Sequence, residues 1–202
     1  KRDVMDTSGI GKLIAEMDHH DMVPFLKPHL NLNRVWGIAY WLVNILILSF
    51  TVWYAVLNWV SFDHFQQGIS LGFVVFFFLF SIHEGIHGLA YKLAGAPNVS
   101  FGASWKKLIF YALADQYVIG LKKFLVVALA PFLLISLLLI CLFFFLPSYA
   151  LLFLGALILH TAGCFGDFAL VSFMHQHRAL NIVTVDDVKA NKTYFLEPNS
   201  TS

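Results

Sequence analysis

Gly72-Phe-Val-Val-Phe-Phe-Phe-Leu-Phe-Ser-Ile-His83-Glu84-Gly85-Ile86-His87-Gly88 carries an apolar run straight into two histidines and a glutamate. On an α-helix, positions 83 and 87 lie one turn apart on one face, so both imidazoles reach a single cation. Glu84 falls beside them. This H-E-x-x-H spacing lets one helix hold Zn²⁺ and present a general base to a water. Ionisable groups inside such an apolar stretch are costly, and where they occur they mark function.

Working outward, the 202 residues are 59% hydrophobic and 12% charged, with 21 Phe. Soluble domains carry about 25% charged residues, so this composition is that of an integral membrane protein in a lipid bilayer. A net charge of +1 gives no case for nucleic acid. Cys141 and Cys164 both fall in apolar segments, which argues against a disulfide framework. The first apolar run begins after Arg34 and is longer than a leader's core, so no cleavable signal peptide is expected.

The expected architecture is an all-α membrane protein. Four transmembrane helices, over about 35–60, 69–93, 124–146 and 149–175, make one domain over 35–178, between an N-terminal segment (1–34) and a C-terminal tail (179–202). Trp36, Tyr40 and Trp41 at one end of the first span, with Trp53, Tyr54 and Trp59 at the other, read as aromatic belts. Asn44 reads as a helix-packing residue, and Pro131 as a kink in the third span. Between spans two and three, Val99, Phe101, Ala103 and Trp105 alternate with small polar residues, then Leu108 to Leu113 resumes. That predicts a small β-hairpin or re-entrant element, whose open edge would suit an extended substrate, the alternative being a plain amphipathic connector. In the flanking segments, Ser8 to Met22 reads as a short helix and Ile182 to Val185 as a β-like run. His19, His20 and Asp21 are expected to be exposed, and Asp115 to be solvated.

Lys and Arg divide unevenly. Five lie before the first span, five between spans two and three, three after the fourth, and none in the other two loops. By the positive-inside rule both termini are cytoplasmic. His83 then lies nine residues before Lys92, and Asp167 eleven before Arg178. At about 1.5 Å per residue both sit at similar depth, on helices running towards the same side. A catalytic zinc takes a third protein ligand, and Asp167 is the one acidic residue in the spans besides Glu84. The alternatives for Asp167 are a helix-packing hydrogen bond or pairing with Lys122 or Lys123. His160, two turns before Asp167 and about 10 Å outward, reads as a group behind the ligands or a substrate contact. Cys164 is a weaker candidate for the same role.

His83-Glu-Gly-Ile-His-Gly88, Ala130-Pro131-Phe132 and Gly166-Asp167 resemble the site-2 protease class of intramembrane zinc metalloproteases, and more closely a bacterial family of putative zincin peptidases, a domain of unknown function. The resemblance covers about residues 35–190. It implies Zn²⁺ held by His83, His87 and Asp167, Glu84 as general base, a membrane-protein or peptide substrate, and a bacterial cytoplasmic membrane. In place of the class's usual Asn-x-x-Pro and Leu-Asp-Gly patterns, Asp167 here follows Gly166 and precedes Phe168-Ala169-Leu170. The alternative functions are a non-proteolytic zinc-binding membrane scaffold or pseudo-peptidase, and a haem protein using His83 and His160.

Overall fold

The computed structural model describes residues 9–104 and 109–199. It is 66% helical, with four helical segments long and apolar enough to cross a membrane. In chain order the elements are β1 (Gly11–Asp18), α1 (Met22–Leu26), α2 (Val35–Leu57), α3 (Phe62–Ala94), β2 (Ser100–Ser104), β3 (Ile109–Leu113), β4 (Ile119–Gly120), α4 (Leu121–Phe145), α5 (Ala150–Gly163), α6 (Phe165–Gln176), β5 (Val183–Asp187) and β6 (Lys192–Pro198).

α3 is the spine. Ser61 caps its start by accepting from the His64 amide, and Gly95, at φ 106°, ends it in the left-handed conformation that glycine adopts without strain. Gly95 N–H donates to the Lys92 carbonyl and Ala96 N–H to that of Tyr91. Small residues set how closely α5 approaches. A Cβ on Gly72 would lie 2.6 Å from the Ala156 nitrogen, and one on Gly68 2.4 Å from the Leu151 Cβ. This small-xxx-small spacing is a common means of close helix packing in membranes. Leu79, Ile135, Leu139, Ala156 and Leu157 fill the space where α3, α4 and α5 meet. On the outside, α2 and α4 present Leu42, Ile45, Leu46, Leu133, Leu134 and Leu137 uncovered, faces that suit a lipid solvent.

Asn44 links α2 to α5, accepting from Thr161 Oγ1 at 3.1 Å. Tyr40 differs from the belt residue expected: it is buried and donates to the Ala162 carbonyl at 2.9 Å. The fourth apolar segment is not one helix. It breaks at Cys164 into α5 and α6, so Asp167 falls in the first turn of a new helix.

β2 and β3 form the expected antiparallel hairpin, with Gly102 opposite Tyr111. Trp105, Lys106, Lys107 and Leu108 of that reading lie outside the described residues. The all-α expectation needs correction, because a second, four-stranded sheet is present in the order β1-β6-β5-β4. Residues 11–18, expected as part of a helix, are its edge strand, paired antiparallel with β6. This sheet ties the N-terminal segment, the connection between α3 and α4 and the C-terminal tail to one another, so all three lie at the same end of the helices. Asp115 is not free in solvent either: its Oδ1 accepts from the Val188 amide at 3.1 Å.

Candidate metal centre

Three side chains converge between α3 and α6. His87 Nε2 lies 3.1 Å from His83 Nε2 and 3.1 Å from Asp167 Oδ1, and His83 Nε2 lies 3.3 Å from Asp167 Oδ2. Ligands about 2.0–2.1 Å from a tetrahedral Zn²⁺ stand about 3.3–3.4 Å apart, and these spacings, with one Asp167 oxygen towards each histidine, are of that size. Both histidines are buried. Two imidazole nitrogens and a carboxylate form a donor set that zinc takes, and three such side chains leave a fourth position open.

The orientation of His87 has a backbone cause. Its Nδ1 donates to the Val127 carbonyl on α4 at 3.0 Å. In a helix that carbonyl would accept from the residue four positions on, which here is Pro131 and has no N–H. Pro131 therefore leaves the Val127 oxygen without its helical partner, and His87 takes it. With Nδ1 as donor, the neutral ring directs the Nε2 lone pair at the cluster.

Glu84 lies beside the pair with Oε2 buried and without a hydrogen-bond partner, and the Ala112 amide of β3 faces the carboxylate. Phe110, on the same strand, meets Phe80 edge-on one turn before the histidines. The hairpin thus walls the site. Gly88 supports its base, since a Cβ there would meet Phe101 at 2.7 Å, whereas Gly85 faces open space.

His160 stands behind His83, on the α5 side of the break at Cys164. Its ring is 5.5 Å from that of His83, edge to face, and its Nε2 is 3.9 Å from Cys164 Sγ. The two rings touch directly, so no haem fits between them. His83, His160 and Cys164 form a second group of potential ligands within 4.8 Å of one another.

Several residues of the site were not anticipated. Tyr91, one turn beyond His87 on the same face, lines the cavity below the cluster, and the 83-87-91 spacing was a readable signal. His19, Thr184, Asp186 and Thr193 also line that cavity, from the four-stranded sheet. His19, expected exposed, is 1% accessible, with Nε2 2.8 Å from Thr193 Oγ1. Burial pushes its pKa down to about 4. Asp186, buried beside it, is pushed up to about 6 by the same loss of solvent.

A family model described as "Putative zincin peptidase" matches residues 76–180, from the turn before the histidines to the end of α6 and just beyond. The chain belongs to that family. The match takes in α4, α5 and both strands of the hairpin, the elements that surround the cluster in this zincin-family chain. No curated protein and no solved structure matches the chain.

Proposed function

We propose that this zincin-family chain is a membrane-embedded zinc metallopeptidase of the site-2-protease kind, with His83, His87 and Asp167 holding the metal and Glu84 as general base. The approach of the two imidazole nitrogens to each other and each to one Asp167 oxygen, 3.1 to 3.3 Å, carries the reading. The family supports a zinc peptidase. Zinc held there would supply a Lewis acid for the scissile carbonyl and lower the pKa of water.

The chain's own residues do the rest. Glu84 Oε2, buried and unpartnered, accepts the proton of the attacking water and returns it to the departing amine. Asp167, in the first turn of α6, faces both imidazoles and balances the charge of the site. The hairpin keeps bulk water from one side, and its edge offers backbone groups to an extended substrate. The helices cross the bilayer, and the sheet end, where the Lys- and Arg-rich segments meet, faces the cytoplasm.

The test is Glu84→Gln, which is expected to keep one zinc per chain while cleavage of a membrane-protein or peptide substrate is lost. Cleavage retained in that variant would remove the role given to Glu84. A second reading, a non-proteolytic zinc-binding scaffold, draws on His83, His160 and Cys164, a nitrogen and sulfur donor set of the structural kind. In that reading the orphaned oxygen of Glu84 has no task.

A further inference from the structure

The cavity of about 130 Å³ beside the cluster has two chemically different ends. One end holds Glu84, His87 and Asp167. The other is the inner face of the four-stranded sheet. Alternation along the strands brings Thr184 and Asp186 of β5 and Thr193 and Phe195 of β6 to that face, where Thr184 pairs with Phe195 and Asp186 with Thr193.

Most polar atoms on this wall are satisfied. Thr193 Oγ1 donates to Asp186 Oδ1 at 2.6 Å, and the Ala114 amide donates to Asp186 Oδ2 at 3.0 Å. With its proton given to Asp186, Thr193 Oγ1 accepts from His19 Nε2. That fixes the tautomer of the neutral His19 ring: Nε2 carries hydrogen and Nδ1 carries a lone pair. His19 Nδ1 and Thr184 Oγ1 are both buried without a partner, and both residues line the cavity. Buried polar atoms are nearly always paired, so two orphans on one wall point to a ligand that pairs them. Met17, Met22 and Leu26 make the rest of that end apolar.

The chemistry of the wall selects among ligands. A carboxylate would face a lone pair and the Asp186 carboxylate. An ammonium offers donors only, so the Thr184 hydroxyl hydrogen would stay without an acceptor. A carboxamide carries both functions that these orphans lack, an N–H for His19 Nδ1 and an oxygen for the Thr184 hydroxyl.

We propose that this cavity is a specificity pocket that takes a substrate side chain ending in a carboxamide, asparagine or glutamine, next to the bond being cut, with His19 and Thr184 receiving the amide. Thr193 and Asp186 are positioning residues that hold His19 in its accepting form. The inference rests on the metallopeptidase reading, and the test separates the two.

Two dipeptide hydroxamates are compared, identical except for a glutamine or a norleucine beside the chelating group. Each is titrated by calorimetry at pH 7.5 into the full-length, zinc-loaded protein in lipid nanodiscs, with zinc content checked by elemental analysis. Wild type is expected to bind the glutamine compound at least about tenfold more tightly, because the norleucine compound leaves buried polar groups unpaired. Thr184→Val and His19→Phe are each expected to shrink that preference below about threefold, with norleucine binding little changed. If His19→Phe does not fold, Thr184→Val decides alone. Equal affinities in wild type, or a preference that survives Thr184→Val, would overturn the pocket while leaving the metal site standing. Zinc-loaded protein that binds neither hydroxamate would overturn the metallopeptidase reading and the pocket with it.

Discussion

His87 donates through Nδ1 to the Val127 carbonyl at 3.0 Å, and that carbonyl is available because Pro131 has no amide to offer it. A helix defect on α4 thereby orients a side chain on α3. Hydrogen-bonding partners of this kind are typically worth ten- to a hundredfold in metal affinity. Pro131→Ala restores the missing N–H and makes it compete with His87 for one oxygen. Zinc affinity, measured by competition with a chelator, is expected to fall about tenfold while the protein stays folded. An unchanged affinity would show that the ring is held by other means.

The two candidate ligand groups share His83 and differ in everything else. His87→Ala and Asp167→Ala are each expected to lose zinc from the purified protein, and Cys164→Ser to keep it. Elemental analysis of the three variants beside wild type decides. Zinc lost in Cys164→Ser and kept in Asp167→Ala would move the metal to the His83, His160 and Cys164 group.

Gly72 sits where α3 and α5 touch backbone to backbone, with the Leu152 carbonyl 2.7 Å from where its Cβ would be. Gly72→Ala must push the helices apart, and overpacking of this type costs about 1–3 kcal/mol. The expected result is a lower melting temperature in detergent, with zinc content retained below it. Gly85→Ala, in open space by the same measure, is the control and should melt like wild type.

His19 makes a pH-dependent contribution of known sign. Burial lowers its folded pKa from the ordinary 6.5 to about 4. Between those values the unfolded chain binds the extra proton, so wild type loses stability as the pH falls through that window. His19→Gln has no such titration. The stability difference between variant and wild type, followed by unfolding at pH 7.5, 5.5 and 4, should therefore shift in the variant's favour on acidification, by up to about 3 kcal/mol. A difference that does not change with pH would mean that His19 is solvated or paired with an anion in the folded state.

How much of this was readable beforehand varies from one part of the chain to another. The four apolar helices follow from long runs without charge, and the hairpin from its alternation. The meeting of His83, His87 and Asp167 is in line with helical spacing and with similar distances, nine and eleven residues, to Lys92 and Arg178. The four-stranded sheet did not follow. Gly11 of β1 pairs with Pro198 of β6, and a strand whose partner lies at the far end of the chain has a local pattern that decides little. His19 was misjudged for the same reason, since its acceptor, Thr193, is 174 residues away. The break at Cys164 was also missed. It contains no proline, and the glycines beside it, Gly163 and Gly166, are a weak signal inside an apolar run.

The sheet also has a bearing on when the site takes shape. β1 precedes, and β6 follows, the four described helical segments that could cross a membrane. The helices carrying the histidines and Asp167 are therefore made, and can be inserted, before the wall holding Thr184 and Thr193 exists. During synthesis the cluster is open on that side, and β1 waits without a partner. Completion of the cavity waits on the synthesis of β6.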